Sequence, residues 1–352
     1  MITGIVCEFN PFHKGHKYLI DSVKASCNDA VLCCMSGNFV QRGEFAVFDK
    51  FKRAETAIEN GADLVIELPT VFSTLSAEGF CRAGVKLIEA TGIADRIAFG
   101  AENDNIYELS EIARKLNDAD TQKKIVSEMQ SGISFPKARS KVLNNATLDY
   151  PNNILAVEYL KAASIPCHAV KRIGKGHDTD DKEYSASAIR NELDINRISS
   201  IYNCETAVLS RLRTMNSDDF IKIADVSEGL ENKIEKAVRK ATSLDALYEL
   251  IKSKRYTHSR IRRIILRAYL GIECIPDEAP YIRILGFNEK GRKMLSEMKK
   301  TASKPIITKL KDCSKDVLPF FLQECSFTDL YNLGYKKPLP CGTEQKAKIV
   351  IK

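Results

Sequence analysis

Several of the usual signposts of function are missing from this chain. No apolar run approaches the roughly eighteen uninterrupted residues of a membrane-crossing helix, so no membrane partner is expected. The N-terminus enters a strand pattern at Ile2 with no basic segment or cleavage site ahead of it, and a cytoplasmic location is expected. The eleven cysteines contain no Cys-x-x-Cys pair, and Cys33 and Cys34 fall inside an apolar run. An odd count without a secretory leader speaks against a disulfide framework or a zinc ribbon and for reduced, buried thiols. Neither a Walker-type lysine loop nor G-x-G-x-x-G occurs, so a phosphate would have to be gripped by other means. Histidine is scarce, with five in 352 residues, yet His13 and His16 stand three apart.

What is present reads as a globular α/β chain of two domains. Short apolar runs at 2–9, 29–36, 62–69, 95–101 and 167–173 suit strands buried on both faces. Helix-period segments at about 14–27, 49–60, 76–91, 105–130 and 152–163 separate them. Gly61 and Gly92 fall just past helix ends, where a left-handed cap is needed. Such alternation implies a parallel sheet with right-handed crossovers, and ligands bind beyond the carboxyl ends of its strands. His13, Ser36, Gly100 and Arg172 fall at or near such ends. Residues 1–195 are expected to form this α/β domain and residues 196–352 a mainly helical one, with helical periods at 232–253 and 260–272.

The stretch "GIVCEFNPFHKGHKYLI" carries the first candidate site. Asn10-Pro11-Phe12 ends the strand, because proline cannot continue the ladder. His13 then stands at the loop mouth and His16 in the first helical turn, where free N–H groups and the helix dipole favour an anion. Gly15 would let a phosphate approach the backbone. A metal site would need further ligands, and His168, His177 and His258 show no supporting spacing, so no metal is assigned. A plain pair of surface histidines is the third reading. A second cradle weighs against it: "YSASAIRNEL" places Ser185, Ser187 and Arg190 at the start of another helix. A serine cap beside a surface arginine would look the same in isolation.

Together, "NPFHKGH" and "SASAIR" resemble the HIGH-type nucleotidyltransferase superfamily, which grips ATP phosphates with two such motifs. More narrowly, "GIVCEFNPFHKGH", "SGNFVQRGEFA", "GADLVIELP", "FGAE", "PNNILAVEYLKA", "KRIGKGHD", "SASAIR" and "RILGFNEKGR" follow in the order found in bacterial tRNA(Met) cytidine acetate ligases. The resemblance implies a Rossmann-like nucleotidyltransferase domain, ATP as substrate with Mg2+ accompanying it, and acetate as the second substrate. It also implies acetyl-AMP as the intermediate and N4 of the wobble cytidine of elongator tRNA(Met) as the acceptor. His13 and His16 would be catalytic. Cys7, Glu8, Phe9, Asn10, Pro11, Phe12, Lys14 and Gly15 would line the ATP site with them, joined by Gly100, Asn152, Arg172, Ser185, Ser187 and Arg190. Asn152 is preferred to Asn153 as the nucleotide contact, its alternative role being a helix cap.

Two further groups complete the expectation. Asn38, Gln41, Arg42 and Glu44 lie in an irregular stretch after the second strand, where acetate or cytidine would sit. Between Lys252 and Arg267 there are seven Lys/Arg residues and no acidic one. From these, Lys254, Arg255, Arg260, Arg262, Arg263 and Arg267 are expected to meet RNA phosphates. The net charge of +7 is too mild to decide this, and a solvated helix face is the alternative. Two other functions remain open from residues alone: a small-molecule adenylyltransferase of the dinucleotide or coenzyme A type, and a non-catalytic RNA-binding protein on a nucleotide fold.

Overall fold

The computed structural model describes residues 1–27, 30–173, 186–227 and 229–352. Its centre is one sheet. Five parallel strands, β1 (Ile2–Cys7), β2 (Ala30–Ser36), β5 (Leu64–Leu68), β6 (Arg96–Ala101) and β7 (Cys167–Lys171), run in the order β5-β2-β1-β6-β7. A separate antiparallel hairpin, β3 (Phe39–Val40) with β4 (Glu44–Phe45), follows β2. The sheet order reverses on either side of β1, so β1 and β6 flank the crevice where ligands bind in doubly wound folds. Every residue of β2 is buried, as expected for a strand covered on both faces. Each fully buried Leu or Val contributes about 1.5–3 kcal/mol relative to exposure.

The five expected strands and the helices Lys14–Cys27, Lys50–Glu59, Ala77–Glu89 and Pro151–Ala162 fall within a few residues of their sequence ranges. Gly61 and Gly92 take the left-handed conformation at φ 109° and 68°. The expected single helix at 105–130 is two helices, Ile106–Asn117 and Ala119–Met129. Asp118 ends the first in an extended conformation and caps the second, accepting from the Thr121 N–H at 2.9 Å. A carboxylate with that option competes with helix continuation. The 232–253 segment breaks in the same way, at Ser243, which caps the helix Leu244–Ile251.

The sheet crosses the expected boundary at 195/196. β8 (Ile282–Phe287) pairs antiparallel with β5, and β9 (Ile306–Ile307) and β10 (Val350–Ile351) pair with β8. The all-helical stretch is therefore confined to residues 196–279, after which the chain returns to the sheet. Gly286 permits this return: a Cβ there would stand 2.7 Å from Val350 Cβ. Beneath β5 and β8 lies a buried ionic cluster of Lys50, Glu67, Arg283, Glu324 and Glu344. It ties the helix Leu318–Asn332 to the sheet through Glu324, which accepts from the Thr70 N–H at 2.8 Å. Among the described residues no helix is long and apolar enough to cross a membrane. The ten cysteines described are free thiols.

Candidate active site

β1 ends at Cys7, and the chain turns through a cis Asn10–Pro11 bond into the helix Lys14–Cys27. The two histidines face each other there, with ring centroids 3.6 Å apart and planes 22° from parallel. Each uses Nδ1 as an acceptor. His16 Nδ1 accepts from the His13 backbone N–H at 3.3 Å, and His13 Nδ1 accepts from the Gly15 N–H at 3.1 Å. A neutral imidazole that accepts at Nδ1 carries its proton on Nε2, so both rings are set as Nε2–H donors. Burial, then the neighbouring His13 and Arg172, hold the His16 pKa well below the ordinary value, so His16 is neutral at pH 7. Phe9 packs edge-on to His16 at 4.9 Å and Phe12 tilts against it at 5.6 Å. Gly15 lines the cavity, and a Cβ there would stand 3.0 Å from His13 Cε1, inside the stacked pair.

Opposite the histidines, Arg172 follows β7. Its Nη1 donates to Asn152 Oδ1 at 3.4 Å, and Glu102 accepts from Asn152 Nδ2 at 2.6 Å. The stem of Arg172 lies over Gly100, where a Cβ would come within 3.3 Å of Cγ. Gly100 is a strand residue that lines the cavity beside this arginine. The two asparagines separate cleanly. Asn152 lines the cavity, whereas Asn153 is buried, its Oδ1 accepting from the Asn103 N–H and its Nδ2 donating to Thr147 O. The cap of that helix is Tyr150, with Pro151 in its first turn, so Asn152 does not cap it.

Arg190 joins the two sequence motifs. Its guanidinium donates to Asn10 O at 2.6 Å and to Ser187 Oγ at 2.9 Å. Ser185 lies outside the described residues. Two residues that the sequence reading passed over complete the frame. Arg53 is buried and donates to Glu8 O at 2.6 Å, Phe48 O at 2.9 Å and Gly37 O, fastening the ends of β1 and β2. Glu102 links Arg172, Asn152 and the Asn153 N–H. Cys7 is buried; burial, then Cys33, pushes its thiol pKa well up, so it is no nucleophile at pH 7.

The hairpin β3–β4 forms the next wall. Gln41 donates its backbone N–H to Glu8 Oε1 at 2.6 Å, and Gln41, Arg42 and Glu44 line the cavity. Asn38 does not join them: it is buried, accepts from the Lys50 N–H at 3.0 Å and donates to Thr328 Oγ1 at 3.2 Å. The turn at Gly43, at φ 76°, presses on the helix His258–Leu270, and a Cβ would be 2.4 Å from Arg263 N. Glu44 pairs with Arg262 across this contact.

The basic residues expected on one RNA face therefore divide. Arg267 is fully buried and donates to Thr74 and Ala224 carbonyls, so it is a structural residue. Arg263 is buried beside Asp225, and Arg260 donates to the Asp225 carbonyl. Arg255, Arg260, Arg262 and Arg263 still line the cavity, while Lys254 is exposed outside it. One cavity of about 940 Å³ thus runs from the two histidines to this helix. Pro11, Phe12, Lys14 and Ser187 are not part of its wall. Among the described residues no three His, Cys, Asp or Glu side chains are grouped as a metal site.

The HIGH Nucleotidyl Transferase family matches the chain over residues 1–207 and again over 194–346. A tRNA(Met) cytidine acetate ligase of Clostridium acetobutylicum is 36% identical, across 99% of this chain and 100% of its own length. Another from Thermoanaerobacter sp. is 38% identical over 97% and 98% of the two chains. Among solved structures, Thermotoga maritima TmcAL bound with alpha-thio ATP is similar at a TM-score of 0.89 and 32% identity, covering 99% of each chain. Its apo form gives a TM-score of 0.91.

Proposed function

Because the chain belongs to the tRNA(Met) cytidine acetate ligase family of HIGH nucleotidyltransferases, we propose that it joins acetate to N4 of the wobble cytidine of elongator tRNA(Met) in two steps. In the first, acetate attacks the α-phosphorus of ATP, giving acetyl-AMP and pyrophosphate. Charge grows on the phosphate oxygens as the bond to pyrophosphate breaks, and oriented donors in a water-poor site stabilise it. His13 and His16 supply two such donors, pre-set by their Nδ1 bonds. Arg172, Asn152 and Gly100 form the nucleotide wall, and Arg190 holds the loop at Asn10. Mg2+ would arrive with ATP; the described residues offer no cluster built to hold it.

In the second step the cytidine enters along the wall of the helix His258–Leu270. The observation that carries this reading is a single cavity shared by the paired histidines and Arg255, Arg260, Arg262 and Arg263. A small-molecule adenylyltransferase would have no use for the second wall. The proposed division of labour places adenylation in residues 1–195 and RNA contact in the helical stretch 196–279, with Lys254 extending the basic surface. A cytoplasmic location suits work on tRNA with ATP and is part of this proposal. Labelled acetate, ATP and tRNA tested together and by omission decide the matter. Label should enter tRNA only with all three. Transfer from acetyl-coenzyme A without ATP, or label in a small dinucleotide instead, would overturn the proposal.

A further inference from the structure

Acetyl transfer requires a group that removes a proton from the attacking amine, and the phosphate donors cannot be that group. His13 and His16 have their Nδ1 atoms engaged as acceptors and carry protons on Nε2. Cys7 has its thiol directed at Cys34 O, 3.8 Å away. Five carboxylates line the cavity: Glu8, Glu44, Glu78, Glu158 and Asp225. Four are neutralised by cations. Glu44 pairs with Arg262, Glu78 and Glu158 with Lys161, and Asp225 with Arg263 and Arg267. The Glu8 carboxylate has no ion-pair partner among the described residues, and it accepts the Gln41 N–H on Oε1 at 2.6 Å. That bond fixes the carboxylate and leaves Oε2 available. A carboxylate placed to touch the phosphates of ATP would repel them, so its position in the nucleotide loop needs another explanation.

We propose that Glu8 is the general base of acetyl transfer, a catalytic role that rests on the ligase reading above. The cytidine N4 lone pair attacks the carbonyl carbon of acetyl-AMP, and the C=O π pair moves onto oxygen as the C–N bond forms. An N4 proton passes to Glu8 Oε2. The returning pair then breaks the acyl C–O bond and expels AMP, and Glu8 releases its proton to solvent. Gln41 is the positioning residue, through its backbone. The groups facing Glu8 are Arg42 and Glu44 from the hairpin, Arg53 from the helix Lys50–Glu59, Tyr159 from the helix Pro151–Ala162, and Arg190. Burial outweighs the bond from Gln41 and the two arginines, Arg42 and Arg53, and raises the Glu8 pKa above the ordinary carboxylate value, which suits a base working near neutrality.

The test measures single-turnover transfer from preformed acetyl-AMP to tRNA against pH, alongside acetyl-AMP formation from ATP and acetate. Glu8→Gln keeps the acceptor for Gln41 N–H, and a thermal melt checks its fold. Transfer should fall by about 10²–10⁴, at least about tenfold more than any loss in adenylate formation, and the rising pH limb of transfer should disappear. Glu8→Asp should keep the limb at a reduced rate. Equal loss in both half-reactions, or wild-type transfer, overturns the assignment. His258 also lines the cavity, with Nε2 3.5 Å from Glu249; a pH limb lost in His258→Gln and kept in Glu8→Gln would move the base there. If the wild-type protein transfers no acetyl group at all, the ligase reading itself falls and takes this proposal with it.

Discussion

Replacing Lys50 by methionine removes the cation that touches two buried carboxylates at once. Its Nζ lies 2.7 and 3.0 Å from the two Glu67 oxygens and 2.9 Å from Glu344. Burial alone would lower the lysine pKa, but Glu344 and Glu67 outweigh it and hold the ammonium charged. Without it, the remaining cation near both Glu67 and Glu344 among the described residues is Arg283, 3.5 Å from Glu344. Breaking a buried pair by deleting one partner costs about 3–5 kcal/mol. At about 2–4 °C per kcal/mol, Lys50→Met should lower the melting temperature by about 6–20 °C. Burial already raises the Glu67 pKa, and losing the ammonium that holds it down would raise it further. Its contribution is then present at low pH and lost as pH rises, so the deficit should be larger at pH 8.5 than at pH 6. Adding Glu67→Gln should recover part of the loss. Differential scanning fluorimetry at both pH values reads all of this. A shift below about 2 °C at both would refute the reasoning that this cluster anchors the C-terminal segment.

Other expectations follow from the same geometry. Asn152→Ala should raise the KM for ATP with little change in stability, whereas Asn153→Ala, which strands the Asn103 N–H and Thr147 carbonyl, should cost about 1–3 kcal/mol in urea unfolding. Arg267→Ala should destabilise the protein, while Lys254→Ala with Arg255→Ala should weaken tRNA binding and flatten its salt dependence, read by filter binding at several salt concentrations. Burial, and then Glu67, pushes the Glu324 carboxyl up to about 8. The stability it contributes is full below the unfolded pKa of about 4.3 and is lost as pH rises through about 8, so Glu324→Gln should flatten the fall of the urea midpoint with pH.

The parallel sheet was legible because its strands are short, apolar and separated by helices of ordinary period, as in "DAVLCCMS" and "ADLVIELP". The histidine pair was legible too, since its spacing, the proline and Gly15 are all local. What was hidden depends on long-range pairing. β8 reads as any short strand, and nothing nearby tells that it returns to β5 more than two hundred residues back. Arg53 and Arg267 look like surface charges in amphipathic helices, because their carbonyl partners lie on distant loops. Counting positive charge between Lys252 and Arg267 could not distinguish a phosphate-facing arginine from a buried clamp. Asn38 sat in the expected loop and yet turned inward to Thr328, for the same reason.

The most direct test of the site concerns the two imidazoles that open it. His13→Ala and His16→Ala should each slow acetyl-AMP formation by about 10²–10³ while ATP binding changes far less, because the donors act most strongly on the charge of the transition state. Acetyl transfer from preformed acetyl-AMP should suffer less, since pyrophosphate has already left. Rapid-quench measurement of both half-reactions, beside ATP titration of each variant, gives the comparison. A wild-type rate of acetyl-AMP formation in either variant would contradict the account.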